Sequence, residues 1–238
     1  MRFFIFFLIL IFSSFSFLND SFSSRFPREY FNAKQILLSK LPLADSVCKT
    51  FGLKIKQVLP IALPECARFS NLSDKIESSA NYYLYATLGS SCGNFSIGHF
   101  QMKPTFIEQM EREVAKTSEL KQFSFINDYG KTISDEETIR KKRLHRLESE
   151  WWQMRYLCCF YRLMEYKYPA LRLETEDKKL LFFSAAYNVG FNLSEKQIRE
   201  WINRPSFPSG KIDPKKNFPY ASVALEFSKD PQIGRAHV

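Results

Sequence analysis

Glu65 closes an apolar run, Ile61-Ala62-Leu63-Pro64, that would set its carboxyl group in surroundings hostile to the ionised form. A carboxylic acid held in such a place has a raised pKa and can act as a general acid near neutral pH, delivering a proton to a leaving group. Two other segments gather groups that would serve such an acid. Asn94-Phe95-Ser96-Ile97-Gly98-His99-Phe100-Gln101-Met102-Lys103-Pro104-Thr105 interleaves amide, hydroxyl and aromatic side chains, and Ser184-Ala185-Ala186-Tyr187-Asn188-Val189-Gly190 offers a phenol beside an amide. Gly98 and Gly190, which lack a Cβ, would let backbone and ligand approach closely. An isolated glutamate at a helix end is ordinarily a surface residue, so the weight rests on the three segments occurring together. The nearest downstream carboxylates, Asp74 and Glu77, lie beside Ser73 and read as stabilisers of a helix start rather than as a second catalytic acid.

In their residues and chain order the three segments resemble the signature motifs of the lytic transglycosylase branch of the lysozyme-like superfamily. The first is similar to the apolar helix that delivers that family's catalytic glutamate. The second resembles its GLMQ segment followed by proline and a helix, and the third its AAYNAG signature with Val189 in place of alanine. The likeness spans roughly Val47 to Asn203. There are departures. Cys66 stands where serine is common and Lys103 where methionine is usual, two changes expected to alter the groove lining. The interval from Glu65 to Gln101 is longer than the family's, and the stretch from Asn127 to Glu150 reads as an insertion. A divergent subfamily is implied.

The resemblance implies a mainly α, lysozyme-like helical domain with a short β-hairpin beside the active-site cleft. It also implies cleavage of the MurNAc-GlcNAc bond of peptidoglycan with one glutamate. Glu65 would protonate the leaving oxygen and then, as carboxylate, take a proton from the C6 hydroxyl while the 2-acetamido group assists, leaving an anhydro sugar. Tyr187 would orient Glu65 or the acetamido group, and the resemblance implies that it gathers with Leu63, Pro64, Phe95 and Phe100 as apolar walls around Glu65. Gln101 would hold the sugar, with Ser96, Gly98, Phe100, Met102 and Asn188 as further substrate contacts. A hydrolytic muramidase and a noncatalytic wall-binding module on the same fold are the alternatives. No motif implies a cofactor.

Helical elements must position these residues. Residues 30 to 41 and 43 to 66 show apolar positions at helical spacing, with Gly52 and Pro60 interrupting the second stretch and Glu65 near its end. Lys75 to Leu88 is a further helix, and Pro104 opens another. Ser134-Asp135-Glu136-Glu137 reads as a capping box starting one long helix that Pro169 stops after Tyr168. Thr175-Glu176-Asp177 starts a helix through Leu180, Leu181, Phe182, Phe183, Ala185 and Ala186, too continuously apolar for a surface element, ending at Gly190. Ser194-Glu195-Lys196-Gln197 is another capping box. Pro205 to Pro219 reads as loop, and the only hairpin expected lies around Cys92 to Gln101. Trp151 and Trp152 read as packing residues and Arg140-Lys141-Lys142-Arg143 as a solvated face.

The chain has 238 residues, 45% hydrophobic and 16% aromatic, enough for one sizeable core. Met1-Arg2 followed by ten apolar residues through Phe12 forms a secretory signal pattern, too short for a membrane span of about 20 residues. Cleavage is expected after Ser16; an uncleaved anchor is the rival reading. The domain organisation read from the sequence is a signal peptide at 1–16, a linker at 17–29, the catalytic domain at 30–228 and a truncated tail at 229–238. Residues 233–238 match one translated frame of a common sequencing adapter and are read as foreign to the natural chain. The net charge of +9 would suit nucleic acid, but export directs it toward the anionic polymers of the periplasm or cell envelope. The basicity is permissive only; it is the resemblance that implies peptidoglycan strands as the partner, and export argues against nucleic acid. The odd number of cysteines, Cys48, Cys66, Cys92, Cys158 and Cys159, leaves at least one unpaired thiol. No CxxC occurs, the histidines are scattered, and Cys158 and Cys159 read as small core residues, so no metal site is expected.

Overall fold

The structure, a computed structural model, describes residues 21–71, 78–129, 132–208 and 217–234. The signal pattern, Asp74 and Glu77, and the last four residues lie outside the described residues. The described chain is mainly α-helical, with one small two-stranded sheet. None of the described helices is long and apolar enough to cross a membrane.

The first helices are α1 (Phe22–Arg25), α2 (Pro27–Ser39) and α3 (Leu41–Thr50). The segment read as a linker is thus helical from Phe22 onward, and Phe22 is buried. The apolar stretch that follows does not run as one helix to Glu65. Gly52 turns the chain with φ +63°, α4 (Ile55–Val58) makes one turn, and Pro60, which has no N–H to give, converts 59–62 to a tighter 3-10 turn. A new helix, α5 (Leu63–Asn71), then begins. Glu65 therefore sits in a first turn rather than near a helix end.

Beyond 72–77 come α6 (Ser78–Leu88) and α7 (Pro104–Lys116). Helix α7 buries Ile107, Met110, Glu111 and Val114, one face at helical spacing. The expected long helix is two, α8 (Glu136–Glu148) and α9 (Glu150–Lys167), and its cap is Asp135, whose carboxylate accepts from the Thr138 amide at 2.8 Å. Ser149 is extended between them, and the Leu147 carbonyl that loses its helical partner accepts instead from the Gln153 side chain at 2.5 Å. Helix α10 (Glu176–Val189) lies in the core, with Phe182, Phe183 and Ala186 fully buried. Gly190 ends it at φ +105°. The Ser194–Gln197 capping box starts α11 (Glu195–Ile202) with both reciprocal bonds in place.

The sheet is not where it was expected. Residues 97 and 102 form only an isolated antiparallel bridge, whereas the segment read as loop supplies β1 (Pro205–Phe207) and β2 (Phe218–Pro219), paired antiparallel with Phe207 opposite Phe218. Aromatic packing outweighs the proline signal here: Phe207 meets the Phe22 ring at a tilt and Phe218 meets it edge-on. Helix α12 (Tyr220–Ser228) follows and packs on α10 and α5, and α13 (Pro231–Gly234) ends the described chain. The basic run in α8 is only partly a solvated face, because Arg143 turns inward. It is 6% exposed and holds the buried Glu111 of α7 at 2.7 Å.

Candidate functional site: a cleft around Glu65

Helix α5 delivers Glu65 into the protein. Leu63, Pro64, Cys66 and Ala67 around it are buried, and Glu65 itself is only 5% exposed. Burial drives its carboxyl above the ordinary glutamate range; the Arg68 guanidinium, a hydrogen bond from Tyr220 and the Lys103 ammonium oppose this without reversing it. One turn on, the Nη1 of Arg68 donates to both carboxylate oxygens of Glu65 at 3.1 and 3.2 Å. The Tyr220 hydroxyl, from the start of α12, is in reach of the Glu65 carboxyl and 3.3 Å from the Ile61 carbonyl oxygen. Its single proton can serve one of them at a time.

Opposite Glu65 lies the 97–102 loop, which the bridge between Ile97 and Met102 closes at 3.0 and 3.2 Å. Gly98 and Gln101 both take left-handed backbone angles, φ +68° and +50°. Three helices hold this turn. From α9, Gln153 accepts from the Phe100 amide at 3.1 Å and donates to the Ile97 carbonyl at 3.3 Å. From α10, the Tyr187 hydroxyl donates to the Phe100 carbonyl at 2.8 Å. From α5, the Cys66 thiol donates to the His99 carbonyl at 3.3 Å. Within the turn, the Gln101 amide reaches back to the Gly98 carbonyl at 2.8 Å. Burial, then the nearby Glu65 and Cys66, push the Tyr187 phenol far up, so it remains a neutral donor.

Between these parts runs a cleft of about 270 Å³. Of the residues singled out from the sequence, Glu65, Tyr187, Gln101, Ser96, Met102 and Asn188 line it. Gly98 and Phe100 do not. A Cβ on Gly98 would meet the Gln153 Nε2 at 1.7 Å, so what comes close to this glycine is a protein amide rather than a ligand. Phe100 is 4% exposed and serves through its backbone. Of the expected walls, Leu63 and Pro64 are buried beside Glu65, while Phe95 packs against Tyr82. Tyr187 bonds the loop rather than Glu65. Lys103 lines the cleft, whereas Cys66 faces the back of the loop, where its thiol donates much as a serine hydroxyl would.

The sequence motifs include neither Arg68 nor Tyr220. The three-residue spacing of Arg68 from Glu65 is a helical neighbour relation that would have pointed to it; nothing local marks Tyr220. Among the described residues lining the cleft, Glu65 is the only carboxylate. Among the described residues, no group of three or more His, Cys, Asp or Glu side chains is placed to hold a metal ion. A larger depression of about 590 Å³ lies between α6, α7 and α8, but its buried Arg143 is already committed to Glu111 and to the Tyr85 hydroxyl. Compared with protein-family models, with curated proteins and with solved structures, the chain matches none.

Proposed function

We propose that the protein cleaves the MurNAc-GlcNAc bond of peptidoglycan as a lytic transglycosylase, on a divergent lysozyme-like helical domain acting outside the cytoplasm. The observation that carries this reading is the meeting of three segments distant in the chain, through Glu65, Gln101 and Tyr187, along one cleft. Glu65 is the proton donor, its protonated form favoured by burial, and in the second step its carboxylate accepts the C6 hydroxyl proton as the muramyl ring closes on itself. Glu65, the one carboxylate among the described cleft residues, is the single acid that this route uses, whereas hydrolysis by a carboxylate pair would need a second. The Arg68 contact favours a second reading, a wall-binding module, because a guanidinium on Glu65 stabilises the charged form that cannot donate.

Product analysis separates the readings. Peptidoglycan incubated with the mature protein should yield fragments with anhydromuramyl ends by mass spectrometry. Reducing ends alone would assign hydrolysis, and binding with no cleavage would assign the module.

A further inference from the structure

The charges of the cleft are unbalanced in a way that the cleavage chemistry makes larger. Its described lining holds one carboxylate, Glu65, and two cations, Arg68 and Lys103. Arg68 gives Glu65 only Nη1; among the described residues its Nη2 donates to none, and its Nε is buried without a described partner. Lys103 is exposed and makes no ion pair with any described carboxylate. To act as an acid Glu65 must be protonated, and in that state Arg68 loses its counter-charge as well. The described lining of the cleft then carries two cations and no anion, an arrangement that a ligand carboxylate would relieve through charge-assisted hydrogen bonds.

Resting on the transglycosylase reading, we infer that Arg68 and Lys103 form a carboxylate-binding subsite that selects glycan strands whose muramyl lactyl groups are free acids, that is, strands stripped of stem peptide. The sugar rings of such strands are otherwise neutral, and the lactyl group is attached to the muramyl ring itself, close to the bond being cut. In peptide-bearing strands the same carbonyl is an amide and presents no charge to the guanidinium. Lys103 is the specificity residue. Arg68 links selection to chemistry, because a lactyl carboxylate drawing the guanidinium toward itself leaves Glu65 free to hold its proton.

The test uses the Glu65→Gln protein, in which the neutral amide stands in for the protonated acid and cleavage does not consume the ligand. Its affinity is measured for three preparations: peptide-free strands, the same strands with the lactyl carboxyl amidated, and strands retaining stem peptides. Peptide-free strands should bind roughly ten- to hundredfold more tightly than either of the others. Adding Lys103→Met, a change at an exposed position, should bring the ratio most of the way to one. Equal binding of all three overturns the subsite, as does tightest binding of peptide-bearing strands, which would assign the charge to the stem peptide. Wild-type cleavage of peptide-free and peptide-bearing strands at equal rates would leave the transglycosylase reading standing and this inference refuted. Failure to bind or cut any strand would remove both.

Discussion

At the scale of the residue, Glu65 carries two opposed demands. Its surroundings raise its pKa, so its contribution to stability is complete below the ordinary glutamate range and is lost as pH rises through the raised value. Glu65→Gln, which cannot ionise, should therefore melt at a higher temperature than the native protein above that range, the gap widening with pH and vanishing in acid; thermal unfolding from pH 4 to 8 reads this directly. The same variant should lose glycan cleavage by about a hundred- to ten-thousandfold. Native activity should fall on the alkaline side as Glu65 ionises. Glu65, Gln101 and Tyr187 were legible because their neighbours form patterns readable along the chain. Tyr220 was not, since its approach to Glu65 depends on how α12 docks against α5, a long-range packing outcome with no local signature.

Elements explain why the loop keeps its shape. Gly98→Ala would drive a Cβ into Gln153 and burden a backbone already at φ +68°, so a loss of about 1–3 kcal/mol is expected in chemical denaturation. Cleavage should fall with it, because Gln101 hangs from the same turn. Helix existence was readable: the starts at Pro104, Thr175 and Ser194 and the stop at Gly190 lie where cap chemistry puts them. Where the chain breaks was less readable. The split at Ser149 depends on Gln153 capping Leu147, a side chain standing in for a backbone donor, and helical periodicity continues across it unchanged. The sheet was misplaced because Pro205 and Pro219 signal loop, while the aromatic contacts that secure the strands come from the far end of the chain.

For the molecule as a whole, buried charge and buried thiols make separate predictions. Arg143→Met would leave Glu111 enclosed without its cation, with a cost of about 3–5 kcal/mol measurable by denaturant titration. Tyr129, whose hydroxyl donates to Glu111, would not replace it. All five cysteines are free and only Cys92 is exposed, so a thiol reagent should label one position on the native protein and five after unfolding. Burial pushes the Cys66, Cys158 and Cys159 thiols up, which further protects them from reaction. At its opposite ends, helix α12 joins two distant places. Tyr220 leans on Glu65, and six residues later Glu226 receives the amides of Phe22 and Ser23 at 2.9 and 3.0 Å. About 9 Å of helix thus separates the clasp on the leading segment from the Tyr220 contact to Glu65. Trimming the chain through Ser24 should therefore reach the chemistry as a displaced alkaline limb in the pH-rate curve, so that a processing event at the front of the polypeptide would tune acidity in its interior.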